Sequence, residues 1–500
     1  MNPSPLITHF ARFLGGTDEQ AALAAALAAQ ATQAGHVCAD LDQEAGWGPW
    51  ATEMDADQRA DFRAQLPHLA IVGGEDDWTP LVWDGQRLYL RRYWDYERLV
   101  AEDVLARSAR GDSLDLITGG PGTGKTTSLA RIIGALQAGN PSLRIALAAP
   151  TGKAAARMTE ALQAAGVATE GGAQTLHRLL GMRADGSGFR HRRERPLACD
   201  VLVVDEASMI DLSLMAHLLD ALPASARLIL LGDRDQLAAV EAGAVFADLC
   251  ESPRLAESVT LLTTSYRFGD DSGIGRLADS LRCGDAEAAC AQLHVGGEDL
   301  DWQPHGEFRA LVATVRDQYQ PYLDGVAAGL PPAELFEQFG RFRVLCAHRQ
   351  DVATINRALT VGSGQRPTAG MPLLVLRNDS LLRVFNGDIG LVLPDPADGS
   401  LKACFVGASD GPRWIPLSRL PDWEPAWAMT VHKSQGSEFA EVLLVLPVAD
   451  SPVTTRELVY TGVTRAKRRV MLWTDEAVLR AAIERRAERM SGLRERLQRQ

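Results

Sequence analysis

Residues 113–127, "SLDLITGGPGTGKTT", constrain the fold more than any other stretch of this chain. An apolar run ends at Gly119, and Gly119-Gly120-Pro121-Gly122-Thr123-Gly124-Lys125-Thr126 fits G-x-x-x-x-G-K-[ST]. A helical pattern, "SLARIIGALQAG", follows at once. A strand, a glycine-rich turn and a helix in this order belong in a parallel sheet with helices on its faces. The glycines let backbone N–H groups curl around phosphates, and the helix N-terminus favours their charge. Lys125 is expected to reach the β- and γ-phosphates, and the Thr126 hydroxyl to ligate Mg²⁺.

The neighbouring patterns repeat the theme. "RIALAAP", "DVLVVDEAS" and "ARLILLGD" are short apolar runs, separated by the helical "GKAAARMTEALQAAG" and "LSLMAHLLDAL". They predict one α/β motor-type domain over residues 111–265. Residues 1–110 read as a mainly helical domain. It holds a hairpin turn at Asp84-Gly85 and a helix from about Asp95. Residues 266–340 read as a helical connection, and 341–500 as a second α/β region. Short strands interrupt the second region at about 365–425, with turns at Asn378-Asp379, Asn386-Gly387, Asp398-Gly399 and Asp410-Gly411. They read as a small β-barrel. The last twenty residues mix Arg and Glu and read as a solvated surface helix.

A composition of 46% hydrophobic and 23% charged residues is that of a soluble globular protein. The net charge of −13 means that any nucleic-acid binding must rest on local basic surface. The seven cysteines form no C-x-x-C pair, which argues against zinc, an iron–sulfur cluster or a disulfide framework, and fits a reducing cytoplasm. "MNPSPLITHF" lacks a signal-peptide pattern, and no apolar run approaches the ~20 residues that span a bilayer. A cytoplasmic location without membrane contact is expected.

Further motifs carry chemistry. Asp205 and Glu206 end the strand pattern "VLVVDE". Asp205 is placed to hold Mg²⁺ through water, and Glu206 is the candidate base for an attacking water. Gln236, in "LGDRDQL", is a candidate to touch the γ-phosphate and that water. Arg267 in "SYRFG" and Arg465 in "YTGVTRAKRR" are expected to reach a γ-phosphate held between two domains, where an arginine stabilises transition-state charge. The polar stretch "TVHKSQGSEF", about 300 residues after the phosphate loop, would read that cleft on one side and a bound strand on the other. "MRADGSGFRHRRERPL" is either a hairpin near a strand-separation point or a solvated basic loop.

Taken in order, "GGPGTGKTT", "APTGKAAARM", "TLHRLLG", "VVDEASMID", "LLGDRDQL", "SYRF", "NGDIG", "TVHKSQGSEF" and "VYTGVTRAK" resemble the superfamily 1 helicases of 5′-to-3′ polarity. Within them the set is similar to the RecD family, the alpha subunits of exodeoxyribonuclease V, the RecBCD enzyme. "RLYLRRYWDYE" resembles that family's first domain, and the likeness covers roughly residues 80–475. It implies two RecA-like P-loop motor domains with parallel sheets, a helical N-terminal partner-interaction domain and a small SH3-like β-barrel insert. It implies ATP and Mg²⁺ as cofactors. Gly119, Gly120, Pro121, Gly122, Thr123, Gly124, Lys125, Thr126, Thr127 and Gln435 would bind the nucleotide, with Thr126 and Asp205 on the metal. Lys125, Asp205, Glu206, Gln236, Arg267 and Arg465 would be catalytic. Pro150, Thr151, Gly152, Lys153, Thr175, His177 and His432 would lie along single-stranded DNA, as groups that hold a phosphate track without reading sequence.

The implied activity is ATP-driven 5′-to-3′ translocation on single-stranded DNA. The implied partners are RecB-like and RecC-like subunits in a heterotrimer that acts at duplex DNA ends in double-strand break repair. No nuclease site is expected in this chain. Two departures stand out. "ERLVAEDVLARSARGDSLDL" has no Gln where these helicases place one to read adenine, and the chain is compact for the RecD family. Two other readings stay open, an autonomous 5′-to-3′ helicase of the same superfamily and a P-loop switch or scaffold without translocation.

Overall fold

Side chains alternate along the phosphate-loop strand, and each face of its sheet therefore needs a cover of its own. Leu114 and Leu116 enter one core with Leu202, Val204, Leu228 and Leu230. Ile117 enters another with Leu147, Val201, Val203, Ile229 and Leu231. The computed structural model describes residues 4–167, 171–183, 185–186, 188–269, 271–360, 367–379, 381–406 and 411–499. The chain divides into two compact units, Met1–Tyr266 with Glu488–Gln500, and Arg267–Ala487. Among the described residues no helix is long and apolar enough to cross a membrane.

In the first unit the main sheet has six strands. Their order is Val259–Leu262, Leu114–Gly119, Arg227–Gly232, Val201–Val204, Ile145–Ala149, Gln174–Thr175, and every pair is parallel. The expected parallel α/β sheet is present. Parallel strands joined by crossovers point the same way, so Gly119, Ala149, Val204 and Gly232 all end at one edge.

The N-terminal region is mainly helical and also carries a four-stranded sheet. Its strands run Cys38–Asp40, Arg87–Leu90, Leu81–Trp83, Val72–Gly73. The hairpin at Asp84-Gly85 forms as expected, with Gly85 at φ +99°. The following helix, Arg91–Ser108, starts at Arg91 rather than near Asp95. The chain passes from Leu90, still in β conformation, straight into the helix without a loop. Trp94, Val100, Ala101 and Val104 on its buried face join the core under the six-stranded sheet.

The second unit holds a five-stranded parallel sheet in the order Leu300–Gln303, Ala466–Trp473, Phe439–Val445, Phe342–Cys346, Ala428–Thr430. Leu300–Gln303 falls in the stretch read as helical. The insert is an antiparallel sheet of five strands between Pro372 and Pro425, with its own core of Leu373, Val375, Val384, Val392, Ala403, Phe405 and Ile415. The turns at Asn386-Gly387 and Asp398-Gly399 lie within it, with Gly387 at φ +93° and Gly399 at φ +69°. Asp410 of the fourth expected turn lies outside the described residues.

The end of the chain departs from a solvated surface helix. Leu493 and Leu497 on the helix Leu493–Arg499 are buried in the core of the first unit. Glu97, wholly buried, accepts from Ser491 Oγ at 2.7 Å, the Gly492 N–H at 2.8 Å and Arg496 Nε at 2.9 Å. The Arg496 guanidinium also lies over the Trp94 ring, 3.6 Å from its centre. Arg494 pairs with buried Asp248 at 2.6 Å, and burial still pushes that carboxyl up to about 6. The mixed Arg/Glu composition hides this role, because each arginine meets an acid buried in sequence far away.

Arg496→Ala leaves Glu97 buried with only neutral donors. The expected loss is about 3–5 kcal/mol of stability in denaturant unfolding. Adding Glu97→Gln to Arg496→Ala is expected to recover part of that loss.

Candidate nucleotide-binding site

The phosphate loop is shaped by what cannot fit there. A Cβ on Gly119 would stand 2.6 Å from Thr123 Oγ1 and 2.8 Å from the Leu262 carbonyl oxygen. Gly124 takes φ +81° as it caps the helix Lys125–Gly139, a conformation that L side chains resist. No side chain caps this helix, so the N–H groups of its first turn, at Lys125, Thr126 and Thr127, point from a positive helix end. Lys125 Nζ donates to the carbonyls of Gly119 and Gly120 at 2.5 and 2.9 Å. Thr123 Oγ1 donates to the Gly120 carbonyl at 2.8 Å. Gly120, Pro121, Gly122 and Thr126 complete the loop.

Two strands along the sheet edge lies the carboxylate pair. Asp205 follows Val201–Val204, and its Oδ1 accepts the Glu206 N–H at 2.8 Å. Burial first, then the charge of Glu206, pushes the Asp205 carboxyl up to about 6; Lys125 and Arg157 oppose the shift. Glu206 is held at φ +55°, and with Arg383 it is one of two non-glycine residues in the left-handed region among the described residues. Strain of this kind persists where surrounding structure fixes a residue for a task. Gln236 is buried, and its Nε2 donates to Asp233 Oδ2 at 2.9 Å. Asp233 itself follows Arg227–Gly232, the strand beside the phosphate-loop strand.

Six of the seven residues expected along DNA, all but His432, sit at or next to the same edge. Pro150, Thr151, Gly152 and Lys153 follow Ile145–Ala149, and Thr175 ends its edge neighbour. Thr151 and Thr175 both cap helices: their Oγ1 atoms accept the N–H groups of Ala154 at 3.2 Å and Arg178 at 3.3 Å. Such a hydroxyl still has its own hydrogen to donate. Lys153 and His177 are exposed. The His177 ring lies 6.0 Å from that of Phe189, inside the basic stretch. That stretch makes two isolated antiparallel bridges, Met182 to Phe189 and Arg192 to Arg195; Ala184 and Ser187 lie outside the described residues.

In the second unit, one connection gathers the remaining candidates. Residues 431–438 leave the carboxyl end of Ala428–Thr430 and enter the amino end of Phe439–Val445. His432, half-buried, opens a single turn at the first end. Gln435 is buried, and Gly436 turns at φ +71°. At the second end lies Arg465, 3% exposed. Its Nη1 donates to the Ser437 carbonyl and its Nε to that of Thr461, both at 3.3 Å. The Phe439 N–H donates to the Arg465 carbonyl at 2.9 Å. Arg267 pairs with Glu438. The structure thus brings Gly119–Thr127, Asp205, Glu206 and Gln236 to one sheet edge of the first unit. It brings Gln435, Arg267 and Arg465 to one segment of the second.

Sequence reasoning missed two participants. Tyr266 is 82% exposed, its N–H donates to the Gly122 carbonyl at 2.8 Å, and its ring lies 3.5 Å from where a Cβ on Gly124 would stand. Glu438, within the stretch "TVHKSQGSEF", pairs with Arg267. The signal for both was adjacency, Tyr266 to Arg267 and Glu438 to the Gln435-Gly436 turn.

Three family models match the chain: the AAA domain over residues 103–242, the UvrD-like helicase C-terminal domain over 425–473, and the RecBCD enzyme subunit RecD, N-terminal domain, over 4–89. The chain is 43% identical to the RecBCD enzyme subunit RecD of Mycobacterium tuberculosis, over 97% of this chain and 92% of that protein. It is 41% identical to the subunit of the same name from Mycolicibacterium smegmatis, over 96% and 94%. It is 33% identical to the ATP-dependent RecD2 DNA helicase of Deinococcus radiodurans, over 79% of this chain and 50% of that protein.

The raised Asp205 carboxyl has a measurable sign. The folded state binds this proton more tightly than the unfolded chain, so no cost falls on folding below about pH 4. The cost builds up between about pH 4 and about 6 and stays constant above that. Asp205→Asn is therefore expected to raise Tm at pH 8, by the equivalent of about 1–3 kcal/mol given the side chain's partial exposure. The gain should vanish by pH 4 in the same thermal melts.

Proposed function

Because the chain belongs to the RecD family of RecBCD-enzyme subunits, we propose that it is an ATP-driven 5′-to-3′ single-stranded-DNA translocase and helicase, the alpha subunit of a helicase–nuclease that processes double-strand breaks. The observation that carries the reading is the phosphate loop at the mouth of a parallel sheet, with a strained carboxylate pair two strands away. The uncapped helix start and the close-packed Gly119 suit a nucleotide triphosphate, and the oxygen donors of Thr126 and Asp205 suit Mg²⁺. When bound, Mg²⁺ neutralises charge on the phosphate oxygens.

The residues divide the work. Backbone N–H groups of Gly120 and of Gly122–Thr127 cradle the phosphates, and Lys125 exchanges its carbonyl partners for the γ-phosphate oxygens. Gln236 orients the attacking water and Glu206 accepts its proton. Arg267 and Arg465 stabilise the charge that develops on the transferred phosphoryl group. Gln435 reads the nucleotide from the second unit. Lys153, His177, His432 and the hydroxyls of Thr151 and Thr175 hold DNA phosphates, which gives grip without sequence preference. RecB-like and RecC-like subunits are the proposed partners, met through the N-terminal domain. The match of residues 4–89 to the RecD N-terminal domain supports the subunit over an autonomous helicase.

Lys125→Ala is expected to lower DNA-stimulated ATPase activity by at least about 100-fold and to abolish unwinding of duplex with a 5′ tail. Unwinding that needs a 3′ tail instead would reverse the polarity. Affinity for single strands should fall linearly in log–log salt plots, and Lys153→Ala should flatten the slope by about 0.7. Fluorescence anisotropy across a salt series measures both.

A further inference from the structure

Glu438 ties together two cations that reach it from distant parts of the sequence. One carboxylate oxygen accepts from Arg267 Nη2. The other lies 3.2 Å from Lys467 Nζ. The Glu438 and Arg267 side chains are only 12% and 18% exposed, so solvent screens this pair weakly. The opposite tip of the same guanidinium, Arg267 Nη1, is buried and has no hydrogen-bond partner. A buried N–H of a charged group left unpaired is unfavourable unless an anion meets it. The residues flanking Glu438 hold the second arginine: the Ser437 carbonyl accepts from Arg465 Nη1, and the Phe439 N–H donates to the Arg465 carbonyl. Three consecutive residues therefore fix both arginines within the second unit.

We propose that Glu438 is a positioning residue for ATP hydrolysis, which grips one edge of the Arg267 guanidinium so that Nη1 is presented, already oriented, to an oxygen of the γ-phosphoryl group. The proposal rests on the reading of Arg267 given above. A long, rotamer-rich side chain loses most of its freedom to this grip before the nucleotide reacts, so less entropy is lost when it meets the developing charge. The carboxylate does not cancel the cluster's attraction for phosphate. Lys467 and Arg267 bring two positive charges against one negative, so a net positive charge remains. Glu438 touches no reacting atom and acts through Arg267.

The test is steady-state, DNA-stimulated ATPase kinetics of the full chain carrying Glu438→Gln, Arg267→Ala or both. Glu438→Gln is expected to lower kcat about 10- to 100-fold, as misplacement of a catalytic group does, with KM for ATP within about twofold. In the Arg267→Ala background the same change should alter kcat less than about twofold, because nothing is left to position. Glu438→Asp keeps the charge on a shorter arm and should lose less than Gln; it carries the test if the Gln variant melts early. A raised KM with kcat intact would place Glu438 in ground-state nucleotide binding and overturn the proposal. Losses that multiply in the double variant would overturn it too, by making Glu438 independent of Arg267. If Arg267→Ala alone leaves kcat unchanged, the catalytic reading of Arg267 fails first and takes the proposal with it.

Discussion

Everything at the candidate site follows from strands that all run the same way. A parallel strand cannot turn back on its neighbour by a hairpin; it must be regained by a crossover. The carboxyl ends of Leu114–Gly119, Ile145–Ala149, Val201–Val204 and Arg227–Gly232 therefore gather at one edge. The phosphate loop, the stretch from Pro150, the Asp205–Glu206 pair and Asp233 with Gln236 occupy that edge without any of them being adjacent in sequence. The two apolar cores on either side hold the sheet, and the polar ends are left to chemistry. The edge tolerates unfavourable features that the sheet interior does not, a carboxyl raised by burial at Asp205 and a left-handed backbone at Glu206.

The second unit solves a different problem. Its polar connection, residues 431–438, joins the carboxyl end of one parallel strand to the amino end of another. Phe439–Val445 has seven residues, so these ends are about 20 Å apart. His432 stands near one and Glu438 near the other, next to Arg465. That is the physical content of a stretch so dense in His, Lys, Ser, Gln and Gly 300 residues after the phosphate loop: one piece of backbone serves both ends of the sheet.

Much of this was legible in the sequence, for identifiable reasons. The phosphate loop declares itself because glycine spacing and a following helix encode a backbone shape directly. The parallel sheet of the first unit shows in apolar runs separated by amphipathic helices. The antiparallel insert shows in its Asn-Gly and Asp-Gly turns. Leu300–Gln303 did not show, since four residues at a sheet edge carry too little pattern among helices. Nor did the helix start at Arg91, where strand and helix meet without a turn residue. Among candidate site residues, those defined by backbone geometry were the clearest. Thr151 and Thr175 serve as helix caps as well as candidates for DNA, and the sequence alone could not separate those uses. Partnerships such as Arg267 with Glu438, or Arg496 with Glu97, join residues far apart in the chain, and composition carries no trace of them.

The buried end of the chain has a consequence for biosynthesis. Residues 488–499 complete the core of the first unit, yet they leave the ribosome only after the whole of Arg267–Ala487. Until then Glu97 and Asp248 wait without Arg496 and Arg494, and the groove that takes Leu493 and Leu497 stays open. The first unit thus cannot finish folding in the order of its synthesis, although domains generally fold as they emerge. Its last step is a docking event delayed by the time needed to make the second unit, and a chain released early would present that groove, apolar and acidic, to its surroundings.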